Sequence, residues 1–394
     1  MRILILSFYY PPDLSAGSFR AHALVQALRR EGGAALEIQV MTTMPNRYQS
    51  HAVSAPASET LDGAHVRRLP LPAHKSGMLD QAKAFTAFAR QALNATRGQR
   101  WDLVFATSSR LMTAVLGARI ARRANAPLYL DIRDLFIDTL SDVLNASALR
   151  HLLPVFRRLE RWAFRSANRL NVVSAGFLPY VSSLAPAQTC RTFTNGIDDE
   201  FIEQDFHTIT PPGALPLVVY AGNMGEGQGL HRIIPEAARL LQGEARFRLI
   251  GDGGRRKALE DAVAGAGLRN VEICDAVPRG ALLEQYRAAD VLFLHLNDYA
   301  AFRKVLPSKL FEYAATGKPI LAGVAGYSAE FLRSQVSGAI VFPPCEAAQM
   351  ADALRALLDN PARHHDRVAF RQQFARSAIM REMARDILDL AHTT

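Results

Sequence analysis

The chain has 394 residues, of which 49% are hydrophobic and 21% charged, and it carries a formal net charge of +9. This length exceeds what one hydrophobic core usually organises, so the sequence predicts an ordinary globular protein of two domains. No apolar stretch reaches the roughly 18 residues that span a bilayer, and the N-terminal apolar run is too short for a signal peptide, so we expect a cytoplasmic protein. The three widely spaced cysteines share no disulfide or metal-ligand spacing, which argues against a disulfide-stapled secreted domain.

Residues 1–200 alternate short apolar runs with amphipathic segments, in the order RILILSF, IQVMTT, LVFAT, PLYLDI and RLNVVS. This alternation predicts parallel strands joined by helices in a doubly wound α/β sheet. Gly17 and Ser18 follow the first strand where a helix opens, and Arg133 and Asp134 follow the strand PLYL. Ligands of such sheets bind beyond the carboxyl ends of the strands, although a helix cap and a loop ion pair would explain the same residues.

The segment LLPVFRRLERWAFRSANRL contains five arginines, and the helical spacing of its apolar residues Leu152, Phe156, Leu159 and Ala163 predicts a basic amphipathic helix. Residues 1–200 contain 24 Lys or Arg and 15 Asp or Glu, whereas the rest of the chain contains 22 of each, so the whole net charge lies in the first half. A basic amphipathic helix can lie on an anionic membrane or pack on its own domain, and the sequence leaves both possibilities open.

Residues 205–374 repeat the α/β pattern, with strands expected at LVVYA, FRLIG, VEICD, VLFLHL, PILAGV and GAIVF. The polar and proline-containing segment 199–216 is the expected linker between the two domains. The sequence therefore predicts a second parallel-sheet unit of similar size.

Two glycine-rich turns follow the first two strands of this second unit. The first contains Gly222, Asn223 and Gln228, and it is suited to hold a phosphate through backbone N–H groups. The second contains Gly251 and Gly253, and by itself it is weak evidence for any ligand.

The segment LPSKLFEYAATGKPIL at 306–321 is the most informative in the chain. It predicts a helix that begins near Pro307 and Ser308, with the proline at the first helical position beside a capping hydroxyl. Free N–H groups at such a helix start bind anions, and Lys309 adds a positive charge. Glu312 falls on the same face, and a carboxylate beside an anion site suits a ribose diol. We therefore expect a nucleoside diphosphate site here.

These motifs resemble the retaining nucleotide-sugar glycosyltransferases of family 4, which have the GT-B fold. The similarity extends over the whole chain, from MRILILSFYYPPDLSAGSF through VVYAGNMGEGQGL and LIGDGGRRKAL to PSKLFEY, and is greatest to the O-antigen and capsule branch that includes N-acetylfucosamine transferases. It implies two Rossmann-like domains that face a central cleft. Residues 1–200 would form the acceptor domain, to which a C-terminal helix near 375–394 returns, and residues 205–374 the donor domain.

The resemblance also implies roles for residues in the first domain. Gly17 and Ser18 would face the donor diphosphate or the acceptor. Arg133 stands where the family often has a histidine near the reacting sugar, with Asp134 after it, and arginine cannot act as a general base. We expect Arg133, Asp134 and Lys309 to act in catalysis.

The donor domain departs from the family pattern at Lys304, which stands where relatives often have a first glutamate eight positions before Glu312. Backbone amides around Val305 and Leu306 are the expected substitute for holding the sugar, and Val277 matches the position where relatives contact the base. The expected donor-binding residues are Gly17, Ser18, Gly222, Asn223, Gln228, Gly251, Gly253, Val277, Lys304, Val305, Leu306, Ser308, Lys309 and Glu312.

The implied activity is transfer of a sugar, an N-acetylated hexosamine or deoxyhexosamine, from a UDP-sugar to a lipid-linked saccharide during synthesis of a bacterial surface polysaccharide. The anomeric configuration would be retained, and neither a metal ion nor a cofactor is expected. The expected partner is a polyprenyl-diphosphate-linked acceptor, reached by peripheral contact with the anionic inner membrane. No nucleic acid partner is expected.

Three other functions stay open on the sequence. A GT-B nucleotide-sugar 2-epimerase would share the diphosphate site but would need acid and base side chains around the sugar that these motifs lack. A non-catalytic nucleotide-sugar-binding subunit would fit the departures from common family residues at Asn223, Gln228 and Lys304. An NAD dehydrogenase is least favoured, because the turn at Gly251 lies late in the chain and lacks an acidic residue about 20 positions on.

Overall fold

The structure is a computed structural model that describes residues 1–13, 15–45, 54–72, 78–108, 110–137, 151–207, 213–360, 362 and 364–393. The chain divides into two compact units. The first consists of Met1–Asn195 and Arg376–Thr394, and the second of Gly196–Ala375. The chain therefore passes between the units twice.

The first unit contains a sheet with the strand order β3-β4-β2-β1-β5-β6-β7-β8. Its strands are β1 (Arg2–Leu6), β2 (Glu37–Thr43), β3 (Ser58–Leu61), β4 (Ala64–Leu69), β5 (Leu103–Ser108), β6 (Leu128–Ile132), β7 (Arg169–Val172) and β8 (Thr189–Arg191). All pairs are parallel except β3 with β4. The five strands expected from the sequence are present as β1, β2, β5, β6 and β7.

The antiparallel hairpin of β3 and β4 was not expected, because its strands are short and polar. Asp62 and Gly63 form its turn with φ of +48° and +74°. An Asp-Gly pair favours such a hairpin turn because both central residues need positive φ, so the signal was present in the sequence.

The second unit contains a parallel sheet with the order β11-β10-β9-β12-β13-β14. Its strands are β9 (Leu217–Ala221), β10 (Arg246–Ile250), β11 (Val271–Cys274), β12 (Val291–His295), β13 (Ile320–Gly323) and β14 (Ala339–Phe342). Every residue of β9, β12 and β13 is buried. Central strands of a parallel sheet are covered on both faces by helices, which explains their continuous apolar runs.

Helices flank both sheets. The α-helices of the described residues are α1 (Ala16–Gly32), α2 (Met78–Ala95), α3 (Leu111–Ala124), α4 (Leu153–Ser166), α5 (Leu178–Leu184), α6 (Asp199–Ile202), α7 (Leu230–Leu240), α8 (Arg256–Gly265), α9 (Arg279–Ala288), α10 (Ser308–Ala315), α11 (Tyr327–Gln335), α12 (Ala347–Asp359), α13 (Val368–Gln373) and α14 (Arg376–Thr393). None of these helices is both long enough and apolar enough to cross a membrane.

The C-terminal helix α14 belongs to the first unit, where it packs along α1. Its residues Met380, Met383 and Ile387 are completely buried. At the edge of this contact Arg385 Nε donates to Glu31 Oε2 at 2.7 Å. Apolar burial therefore holds this helix on α1, with an ion pair at the rim.

Residues of the segment expected to be a linker pack onto the second unit. Phe201 and Phe206 are buried, and Phe201 lies 5.9 Å from the ring of Tyr286 on α9. Residues 208–212 lie outside the described part of the chain. The aromatic side chains gain from burial, which attaches this segment to the second unit.

Candidate functional site

The second sheet reverses its strand order between β9 and β12, since later strands are added on opposite sides of this pair. Ligands of open α/β sheets bind at the carboxyl ends of the strands at such a switch point. The first glycine-rich turn follows β9, and the loop after β12 leads into α10. Both predicted motifs of the donor domain therefore meet at the position where this fold binds ligands.

The helix α10 begins one position later than predicted. Pro307 is its N-cap, with φ −65° and ψ 138°, and Ser308 is its first residue. No side chain forms a capping hydrogen bond, so the expected capping hydroxyl is not found. The first-turn N–H groups of α10 therefore lack a capping side chain, as an anion-binding helix start requires.

Lys309 lies directly against the first glycine-rich turn. Its Nζ donates to the hydroxyl of Tyr220 at 2.7 Å and lies 3.9 Å from the centre of that ring. The Tyr220 hydroxyl donates to the carbonyl of Asn223 at 2.6 Å. A Cβ atom added to Gly222 would overlap Lys309 Nζ, and Gly222 has φ of +141°. Only glycine at this position leaves room for the ammonium group.

Burial lowers the pKa of Lys309 to about 7, although the nearby carboxylate of Glu312 acts in the opposite direction and raises this pKa. An ammonium group removed from water loses hydration, which favours its neutral form. A bound phosphate would favour the charged form again, because it would add negative charge beside the ammonium group. Lys309 is therefore arranged to respond to an anionic ligand.

Glu312 is largely buried, with 13% of its side chain exposed. Arg279 Nη1 lies 3.6 Å from Glu312 Oε1, while the same guanidinium also pairs with Asp198 and, through Nε at 3.0 Å, with Glu200. Arg279 was not among the residues expected at the site. Its neighbours Asp198 and Glu200 are about 80 residues away in sequence, so no local pattern indicated the cluster.

The second glycine-rich turn supports the first. A Cβ on Gly251 would overlap the carbonyl oxygen of Gly222, and one on Gly253 would lie 2.6 Å from the Met224 carbonyl carbon. The N–H of Gly222 donates to Ile250 O at 2.8 Å. Glycine at 251 and 253 therefore allows the second turn to approach the backbone of the first turn closely.

Asn223 and Gln228 bond to each other across the first turn. Asn223 Nδ2 donates to Gln228 Oε1 at 2.7 Å, and the same oxygen accepts from the N–H of Gly225 at 3.3 Å. Their amides therefore stabilise the turn without adding charge to it.

The remaining predicted donor residues lie on neighbouring loops. Lys304 ends a 3-10 helix, Leu306 is buried, and the carbonyl of Val305 accepts from Ser328 Oγ at 2.5 Å. Val277 lies between β11 and α9 and is half-buried. These residues occupy the same carboxyl edge of the second sheet as the glycine-rich turns.

In the first unit, Gly17 and Arg133 lie together. A Cβ on Gly17 would overlap Arg133 Nη1, so the two residues are in close contact. Of the other two predicted residues in this unit, Ser18 is completely buried and Asp134 is exposed. Burial lowers the pKa of Arg133, and its Nε has no hydrogen-bond partner. Ser15 is the N-cap of α1, and its Oγ accepts a hydrogen bond from the N–H of Ser18 at 3.2 Å.

Arg20 is a structural residue that the sequence did not reveal. Its buried guanidinium forms two 2.9 Å bonds to Asp131 and donates to the carbonyls of Phe193 and Thr194. This buried pair ties α1 to β6 and to the segment after β8.

Two polar residues at the end of β12, His295 and Asn297, were also missed. Both are buried and bond to the backbone of the turn after β9. Polar residues that end an otherwise apolar strand, as in VLFLHLN, were the available signal. Across the described residues, no group of three or more His, Cys, Asp or Glu side chains is placed to hold a metal ion.

Two family models match the chain. The glycosyl transferase 4-like domain matches residues 17–196, and glycosyl transferases group 1 match residues 201–376. Together they extend over both units.

Two curated relatives are similar over most of their length. One is WcaI of Escherichia coli (strain K12), named as a colanic acid biosynthesis glycosyl transferase, which is 24% identical over 336 residues, or 80% of this chain and 82% of that protein. Another is the 2-deoxystreptamine N-acetyl-D-glucosaminyltransferase of Streptomyces fradiae. It is 24% identical over 327 residues, which cover 77% of this chain and 75% of that protein.

Solved structures share the fold. Sucrose-phosphate synthase of Thermosynechococcus elongatus has a TM-score of 0.79 at 17% identity and covers 100% of both chains. Anabaena HepE in complex with UDP-glucose has a TM-score of 0.72 at 16% identity and covers 99% of both. With the two parallel sheets described above, these similarities confirm the predicted GT-B fold.

Proposed function

Since this chain is a family 4-type glycosyltransferase with the GT-B fold, we propose that it transfers a sugar from a UDP-sugar with retention of configuration. The observation that carries this proposal is the placement of Lys309 against Gly222 at the switch point of the second sheet, with Glu312 one helical turn away. Lys309 and the uncapped start of α10 bind the diphosphate, and Glu312 accepts hydrogen bonds from the ribose hydroxyls. The choice of uridine is supported by the UDP-glucose bound to the structural neighbour HepE.

Catalysis rests on positioning and charge stabilisation. The bond between the anomeric carbon and the leaving phosphate oxygen breaks as the acceptor oxygen attacks the same face, and the acceptor's proton passes to the leaving phosphate. Lys309 and the N–H groups of α10 stabilise the negative charge that develops there. In the first unit, the guanidinium of Arg133 lies against Gly17 and is followed in the chain by Asp134, and it contacts a substrate oxygen in this scheme. This scheme requires neither a metal ion nor a cofactor.

The proposed donor sugar is an N-acetylated hexosamine or deoxyhexosamine, and the proposed acceptor is a polyprenyl-diphosphate-linked saccharide of a bacterial surface polysaccharide. The name of the Streptomyces relative, an N-acetylglucosaminyltransferase, supports the sugar class. The name of the E. coli relative, which refers to colanic acid biosynthesis, supports the pathway class.

A transfer assay tests this function directly. The purified protein is incubated with a panel of radiolabelled UDP-sugars and a polyprenyl-diphosphate-linked saccharide, in EDTA. We expect labelled lipid to appear with at least one N-acetylated donor. A 2-epimerised UDP-sugar in place of a transfer product would favour an epimerase, and binding without any reaction would favour a non-catalytic subunit. Activity that EDTA abolishes and magnesium restores would contradict the metal-independent scheme.

Membrane contact through α4 is the second part of the proposal. Leu152 and Val155, before and within the first turn of α4, are 45% and 55% exposed, and they are two of the four large apolar side chains that are exposed among the described residues. Arg157, Arg158 and Arg161 are exposed on the same helix. Near an anionic leaflet each base contributes about 1 kcal/mol, so a peripheral, salt-sensitive attachment at the cytoplasmic face of the inner membrane is supported.

We expect the triple variant of Arg157, Arg158 and Arg161 to glutamine to lose binding to anionic vesicles while keeping its affinity for nucleotide. Arg165 is left unchanged because its Nε donates to Leu184 O at 2.8 Å. Co-sedimentation with phosphatidylglycerol vesicles at low salt is the measurement.

The matched control removes three exposed charges from the second unit by replacing Arg246, Arg269 and Arg333 with glutamine. This control should sediment with vesicles as the parent does. Equal sedimentation of the α4 variant and the parent would show that α4 is an ordinary packed surface helix.

A further inference from the structure

His295, the last residue of β12, uses both ring nitrogens to join two loops. Nδ1 bonds to the carbonyl oxygen of Gln228 at 2.6 Å, and Nε2 bonds to the backbone N–H of Cys345 at 2.9 Å. A carbonyl only accepts and a backbone N–H only donates, so Nδ1 carries the proton and Nε2 is unprotonated. Burial lowers the pKa of His295 to about 4, so this neutral tautomer persists across the physiological pH range.

Asn297 extends the same connection to the next two peptide groups. Its N–H donates to Gly227 O at 2.8 Å, and its Nδ2 donates to Glu226 O at 2.9 Å. Its own Oδ1 accepts from Arg232 Nη1 at 2.6 Å, which fixes the orientation of the amide. Three consecutive carbonyls of the first glycine-rich turn, at residues 226–228, are therefore held by two side chains and one N–H from the end of β12.

Two backbone features accompany this connection. Cys345 has φ of +64°, in the left-handed region that non-glycine residues rarely adopt. Gly229 has φ of +60°, and a Cβ there would lie 3.1 Å from Asn297 Cγ. A non-glycine residue such as Cys345 keeps this conformation where its surroundings over-determine it, and such residues concentrate at functional sites.

We infer that His295 and Asn297 are positioning residues that hold the first glycine-rich turn in the shape that receives the donor's diphosphate. The carbonyl and the following N–H of a trans peptide point in opposite directions, so fixing the carbonyls of 226–228 also fixes the N–H groups of residues 227–229. Those of Gln228 and Gly229 donate within the turn, to the carbonyls of Gly225 and Glu226 at 3.2 Å, and so maintain its shape. A turn that is already ordered in the free protein loses less conformational entropy when it binds phosphate. This inference rests on the proposed donor site but concerns residues that do not touch the donor.

Two substitutions at His295 separate this role from simple core packing. In His295→Asn, the amide reaches the position of Nδ1 and keeps the bond to Gln228. In His295→Gln, the amide reaches the position of Nε2 and keeps the bond to Cys345 but loses the bond to Gln228. Each variant leaves one bond unmade, so similar losses of stability are expected from both.

The first measurement is hydrogen–deuterium exchange in the free protein, which needs no ligand. We expect His295→Gln to speed exchange of the amides at 222–229 at least tenfold over the parent, and His295→Asn to speed it much less, because exchange reports local opening. Lys318→Met is the control for general destabilisation. Its buried ammonium bonds to the carbonyls of Arg287 and Ala289, away from this turn.

The second measurement compares affinities for UDP and for uridine, by calorimetry and by NMR titration. His295→Gln should weaken UDP about tenfold and leave uridine unchanged, whereas His295→Asn should restore most of the UDP affinity. Equal exchange at 222–229 and equal UDP affinity in the two histidine variants would overturn the inference. If the parent binds no nucleoside diphosphate, the proposed donor site fails, while the exchange data still decide whether His295 orders the turn.

Discussion

Replacing Lys309 with methionine will lower the affinity for a UDP-sugar roughly ten- to a hundred-fold, because a hydrogen bond to a charged group contributes about 1.5–3 kcal/mol. Methionine keeps the length and apolar character of the lysine stem, so the packing over Tyr220 should survive. Because burial disfavours the ammonium form of Lys309, the variant should be at least as stable as the parent at pH 6. Calorimetric titration together with thermal unfolding measures both effects.

Two comparisons make this result specific. Lys257→Met removes an exposed ammonium paired with Asp261 and should leave the affinity unchanged. Glu312→Ala should weaken both UDP and uridine, since the proposed ribose contact is lost, whereas Lys309→Met should weaken only UDP. An unchanged UDP-sugar affinity in both Lys309→Met and Glu312→Ala would remove the basis for placing the donor at this site.

The affinity for a UDP-sugar is expected to fall as the pH rises above about 7. The free protein holds the pKa of Lys309 near 7, and a bound diphosphate raises this pKa because it favours the ammonium form. Above pH 7, binding must therefore be accompanied by uptake of a proton on Lys309. The affinity then falls by up to tenfold per pH unit, until the pH reaches the pKa of Lys309 in the complex. A UDP-sugar is the right probe, since its diphosphate diester does not titrate in this range.

Titrations from pH 6 to pH 9 measure this dependence, and calorimetry in buffers of different ionisation enthalpy counts the proton taken up. The groups that face Lys309 are the hydroxyl of Tyr220 and the carboxylate of Glu312. Lys309→Arg is the control, because arginine stays charged throughout and its affinity should not follow this profile. A parent profile as flat as that of Lys309→Arg would mean that Lys309 does not titrate on binding.

The folded protein should also become more stable between about pH 7 and pH 10.5 through Lys309. Its pKa is 10.5 before burial and about 7 in the folded state, so the unfolded chain binds more protons in this interval. The free energy of unfolding therefore rises with pH here, and this contribution should disappear in Lys309→Met.

Local signals were sufficient for the central strands and for the helix that carries the proposed anion site. Strands β9 and β12 are continuous apolar runs, and the helix α10 follows from the spacing of Leu310, Phe311 and Ala314 after a proline. Lys309 and Glu312 lie on one face because they are three residues apart in a helix. Such features depend on neighbours within about four residues, so the sequence by itself determined them.

The contacts that shape the site depend on the strand order, which brings distant residues together. Gln228 and Cys345 are 67 and 50 residues from His295, and they meet it because β9 and β12 are adjacent and the loop after β14 reaches the same sheet edge. Arg279 meets Glu312 in the same way, through packing that no helical or strand period describes. The sequence determined which residues stand at strand ends and helix starts, whereas the order of the strands, set by the packing of the whole sheet, decided which of them came into contact.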